Sequence, residues 1–108
     1  MARLEKTVYD VVVSVVADYS RMKKLLEKDN LTRQQAAEFT RKVSAVDNAL
    51  IAVCDGEPEE VRDALRSDIA HRRGFQRGAA KKYYTFYQTY EKRKSDAVRM
   101  IAKMLDLI

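Results

Sequence analysis

Apolar residues in the first quarter of the chain return at intervals of three and four. Val8, Val11, Val12, Val15, Tyr19, Met22, Leu25 and Leu26 recur with Glu5, Lys6, Asp10, Asp18, Lys23 and Lys24 between them. Such spacing is one face of an α-helix and predicts a long amphipathic helix from Arg3 to about Lys28. Five valines between Val11 and Val16 pull locally toward strand, because a β-branched side chain loses χ1 freedom on a helix. The helical period on both flanks outweighs them. Asp29-Asn30 then supplies a turn, and Thr32 followed by Gln35 has the spacing of a capping box, which starts a second helix near Arg33. Its stripe, Ala36, Phe39, Val43, Val46, Leu50 and Val53, alternates by three and four without a miss.

Asp55-Gly56-Glu57-Pro58 closes that helix and opens a third, with Gly56 as a left-handed cap, Pro58 in the first turn and Glu57, Glu59 and Glu60 favoured by the helix dipole. The third helix is expected from Pro58 to about His71. Its core positions Val61, Leu65 and Ile69 are too few for it to stand alone. Gly74 and Gly78 bracket Phe75, so the chain is expected to turn between Arg73 and Gly78. After Gly78 there is neither Gly nor Pro, and Ala79, Ala80, Tyr83, Tyr87, Tyr90, Ala97, Val98, Ile101, Met104, Leu105 and Ile108 fit either one uninterrupted helix or two. The pattern therefore predicts an all-α single domain: a helical hairpin over residues 1–55, a third helix, and a C-terminal unit within 58–108 that is either a helix-turn-helix or one long helix.

Composition agrees with this and narrows the chemistry. At 108 residues, with three Gly and one Pro, the chain has room for one modest core. No apolar run reaches the roughly 18 residues of a membrane span, and the start Met-Ala-Arg-Leu-Glu-Lys lacks the apolar centre of a signal peptide, so a cytoplasmic protein is expected. Cys54 is the sole cysteine and His71 the sole histidine. They leave no internal disulfide and no zinc cluster to expect. Cys54 beside Val53 reads as a small buried hydrophobe, the glutamates sit where a helix N-terminus wants negative charge, and no Gly-rich phosphate loop is present. Neither an enzyme nor a cofactor is expected.

Charge separates the two halves. Residues 1–70 hold 11 Lys/Arg against 13 Asp/Glu, while residues 71–108 hold 10 against 3. Between His71 and Lys94 lie eight basic residues, one acid, Glu91, and six of the nine aromatics. Lys and Arg among aromatics suit a polyanion, because counterions leave the phosphates as the cations arrive. Solvated charge over tyrosines turned to the core is the plainer alternative. Within this stretch, Ala80 fits the small position of a short first helix, Tyr83 its last core residue, and a second helix follows from about Tyr87, which is a helix-turn-helix template. Bulky Tyr84 resists the left-handed conformation of a tight turn, which makes Thr85 the expected cap.

Residues 81–108, from Lys81-Lys82-Tyr83-Tyr84 through Tyr87-Gln88-Thr89-Tyr90-Glu91-Lys92-Arg93-Lys94 to Leu105-Asp106-Leu107-Ile108, resemble the end of phage-encoded transcriptional regulators of the ArpU and RinA type. The front half resembles the leader of such proteins at Tyr19-Ser-Arg-Met-Lys23 and Val46-Asp-Asn-Ala-Leu50. That resemblance implies a helix-turn-helix similar to region 4 of sigma factors, followed by a tail of Ala97, Ile101, Ala102, Leu105 and Ile108, and it implies regulation of phage or prophage genes. On this reading Arg72, Arg73, Arg77, Lys81, Lys82, Lys92 and Arg93 hold phosphates, while Tyr87, Gln88, Glu91 and Lys94 face base edges. Double-stranded DNA is the expected partner, with RNA polymerase a second candidate. Val13, Val16 and Leu26 are apolar positions left over by the hairpin, and they suggest a homodimer on a two-fold symmetric site. Two other readings stay open: a helical module whose basic face meets an acidic protein, and nonspecific nucleic-acid binding with tyrosines stacked on single strands.

Overall fold

The computed structural model describes residues 4–108, and the expected start of the first helix at Arg3 lies outside them. The described residues form four α-helices: α1 (Lys6–Lys28), α2 (Arg33–Val53), α3 (Glu59–Ala70) and α4 (Tyr87–Met104). The fold is all-α, as the periodicity predicts.

Local chemistry sets each boundary. α1 stops where Asp29 turns left-handed at φ 55°. The capping box before α2 is formed in both directions, since the Gln35 amide donates to Thr32 Oγ1 at 3.1 Å and the Thr32 amide donates to Gln35 Oε1 at 3.1 Å. Gly56 takes φ 78°, the left-handed geometry expected of it. α3 ends one residue earlier than expected, and its left-handed residue is an arginine: Arg72 has φ 54°. The amides of Arg72 and Arg73 reach back to the carbonyls of Ile69 and Asp68, the paired bonds of a Schellman motif. Asp106, at φ 58°, closes α4 in the same way, with Leu107 donating to Ala102.

α1 packs against all three other helices. A helix covered on several sides buries a wide stripe, which is why Val12, Val13, Val15, Val16, Tyr19 and Met22 are all buried. Val13 and Val16, at 5% and 3% exposure, thus belong to the core of one chain, and Leu26 is half-buried against it. They are not the outward positions the sequence reading made them. Val43, Val46, Leu50 and Val53 of α2 are buried as expected, with Phe39 packed at the margin. α4 completes the core through Tyr90, Ala97, Val98, Ile101 and Ala102, with Leu105 buried at its C-cap.

The stretch 71–86 joins α3 to α4 through two short 3-10 turns, Phe75–Arg77 and Lys81–Tyr83. The chain does turn before Tyr87, so the C-terminal half is not one continuous helix. The short helix expected around Ala80 is a single 3-10 turn, and Tyr84 and Phe86 are extended, at φ −124° and −113°. Phe86, not Thr85, stands at the N-cap of α4, and it provides no side-chain capping bond.

Candidate nucleic-acid interface

A buried carboxylate organises the approach to α4. Asp68, with no exposed surface, accepts from the Ala79 amide at 2.6 Å, the Ala80 amide at 3.1 Å and the Tyr90 hydroxyl at 3.0 Å. Arg73 stands 3.9 Å away. Burying a charge without such partners would cost several kcal/mol, roughly, so these bonds decide the path of the loop. Gly78 passes directly over the carboxylate: a Cβ there would come within 2.5 Å of Asp68 Oδ2 and 2.9 Å of the Gly74 carbonyl. Ala80 is fully buried at the same place.

The six aromatics of the basic segment divide into two groups. Phe75 meets the Tyr90 ring edge-on at 5.3 Å and Tyr84 meets it at 5.9 Å, fastening the loop to α4. The Tyr84 hydroxyl is buried beside the Cys54 thiol, a weak hydrogen-bonding partner. Burial pushes both Tyr84 and Tyr90 above the ordinary tyrosine range, the Asp68 charge adding to the effect at Tyr90. Tyr83, Phe86 and Tyr87 instead face outward, Phe86 at 65% and Tyr87 at 56% exposure.

The expected phosphate contacts divide likewise. Arg72 pairs with Asp10 at 2.9 Å and lies over the Tyr9 ring, joining the loop to α1. Arg73 is turned toward Ser67 and Asp68. Arg93 donates to the Val53 carbonyl at 2.6 Å and stands 3.5 Å from Glu57. Lys94 donates to the Arg73 carbonyl at 3.0 Å, near Glu91 at 3.8 Å, with its side chain only 18% exposed. Arg72 and Arg73 thus tie the loop to α1 and α3, while Arg93 and Lys94 tie α4 to α2 and to the loop. Arg77, Lys81, Lys82 and Lys92 are exposed. Lys81 meets Gln76, Lys82 lies over Tyr83, and Lys92 pairs with Asp96 across one helical turn. An exposed pair of that kind is worth about 0–1 kcal/mol and yields readily to a phosphate.

Of the residues expected at base edges, Tyr87 and Gln88 project from the first turn of α4, whereas Glu91 and Lys94 neighbour each other on its half-buried side. With no side-chain cap on α4, the amides of its first turn are open to an anion. Sequence reasoning passed over Arg99 and Lys103, which follow Gln88 and Lys92 along one helical stripe at intervals of seven and four and line a groove together with them. That spacing was the available signal. Among the described residues no group of His, Cys, Asp and Glu is placed to hold a metal ion, and no helix is long and apolar enough to cross a membrane. No family model, no curated protein and no solved structure matches the chain.

Proposed function

We infer that the chain binds duplex DNA through the first turns of α4 and the loop before it, as a cytoplasmic transcriptional regulator of the phage type that its C-terminal sequence resembles. The observation carrying this reading is the separation of engaged from available groups. Arg72, Arg73, Arg93 and Lys94 build the frame, and Arg77, Lys81, Lys82 and Lys92 stand outward beside Tyr87, Gln88 and the uncapped amides of α4. A stiff helix with polar side chains at its open end, flanked by unburied cations, can meet base edges and phosphates together. The exposed Tyr83, Phe86 and Tyr87 rings favour a second reading, stacking on single-stranded nucleic acid.

Electrophoretic shift with a selected duplex, competed by random duplex and by single strand, separates the two. With four phosphates neutralised, log affinity should fall by about 3.6 for each log unit of salt. Lys82→Ala should weaken all duplexes alike. Gln88→Ala should cost roughly 1–3 kcal/mol on the preferred site and little on random DNA, because a base contact counts only where the base is right. Equal loss on both substrates for both variants would remove the case for sequence readout, and better competition by single strand would favour stacking.

A further inference from the structure

A groove of about 640 Å³ runs along α4 beside the C-terminal end of α2. Ala52 and Val53 of α2 and Met100 of α4 give it an apolar lining, and Lys92, Arg99 and Lys103 give it a basic edge. Its single acid, Asp96, is already held by Lys92 at 3.0 Å. From Gln88 to Lys103 the lined face of α4 is about 22 Å long at 1.5 Å per residue.

Two features of this groove decide what fits. The cations call for an anionic occupant, and the apolar lining calls for carbon, from which a phosphate backbone gains nothing. An α-helix with one apolar stripe and acidic flanks supplies both, and laying such a helix in a groove is a common mode of recognition. Met100 suits this role, since an unbranched thioether adapts to the side chains it meets.

We propose that the α2–α4 groove docks an acidic amphipathic helix of a partner protein. The groove shares Gln88 and Lys92 with the proposed DNA face. A docked helix therefore covers them, and partner and duplex exclude one another. Only this exclusion rests on the DNA-binding reading; the docking does not.

The test uses the full chain and a fluorescein-labelled peptide of about 16 residues, the length that spans the groove. It carries Leu and Ala at helical spacing and Glu on both flanks. A control peptide has the same composition in an order without that period. In anisotropy titrations near 0.15 M salt, where exposed charges are screened beyond about 8 Å, the patterned peptide should bind at least tenfold more tightly than the control. Ala52→Gln, which fills the groove without changing charge, should weaken it about fivefold or more, and Lys103→Glu by at least as much. Circular dichroism establishes that both variants are folded. Lys82→Ala, outside the groove, should leave peptide affinity unchanged while lowering duplex affinity. Equal binding of the two peptides, no binding of either, or full affinity in a folded Ala52→Gln variant overturns the proposal. Peptide binding without duplex binding leaves the docking intact and removes the DNA reading alone.

Discussion

Asp68 stands in the apolar stripe of α3, three residues past Leu65 and seven past Val61, where hydrophobicity alone marks only its neighbours as core. Its oxygens are satisfied by two loop amides and the Tyr90 hydroxyl. Tyr90→Phe removes one of those donors and should lower stability by about 1–3 kcal/mol in urea unfolding at neutral pH. Tyr84→Phe removes a buried hydroxyl whose neighbour is only the weakly hydrogen-bonding Cys54 thiol, and should change stability by less than about 1 kcal/mol. The two tyrosines also set an alkaline limit. Their folded values lie above the ordinary one, chiefly through burial, so the folded chain keeps protons that the unfolded chain releases from about pH 10 upward. Stability is therefore full below that pH and falls as pH rises beyond it. Tyr84→Phe should flatten the fall, and an unchanged alkaline limb in that variant would show that its hydroxyl does not titrate late.

The α1–α2 hairpin was legible because its main signals are local: a period of three and four and a reciprocal capping box at the start of α2. Leu50, 2% exposed within the stripe of α2, tests it directly. Truncation to Ala should cost about 2–5 kcal/mol, measured by thermal or urea unfolding. A start of α4 near Tyr87 was one of two alternatives, an uninterrupted helix after Gly78 being the other. The break before it was not settled, because residues 79–86 contain neither Gly nor Pro and their path is set by bonds to a carboxylate on α3 and by aromatic contacts with α4. Long-range anchors of this kind leave no periodic trace. The same blindness affected the candidate site, where Arg93 and Lys94 look like surface charge in the sequence and are held by the carbonyls of Val53 and Arg73 in the fold.

Across the whole molecule, α1 packs against all three other helices, and Val13 and Val16 are taken up in that packing. Pairing of two chains through those valines would require opening the core. Light scattering at micromolar concentration should accordingly give the mass of one chain, 12.5 kDa. A doubled mass would move the contact to the remaining exposed apolar residues, among which Val11 and Ile51 lie on the hairpin at 44% and 53% exposure. A charge excess concentrated after His71 gives one end of the sequence the stronger pull on a polyanion, and the pull weakens with salt as exposed charges are screened.

Five trypsin targets, Arg72, Arg73, Arg77, Lys81 and Lys82, lie within a stretch that has no α-helix. A slack loop of that composition would be the first place a protease cuts. Two of its amides are bound to Asp68, and a protease needs the backbone to detach and extend before it can cleave. Native digestion should therefore be slow between Arg73 and Lys82. In Gly78→Ala, where the added methyl group meets the carboxylate, cleavage there should be at least about tenfold faster while the α1–α2 fragment persists. Rapid cutting of the unmodified chain at Lys81 or Lys82 would mean that the carboxylate does not hold the loop. Slow cutting would give the exposed lysines a survival advantage in a cell rich in proteases, earned by an aspartate that no protease can see.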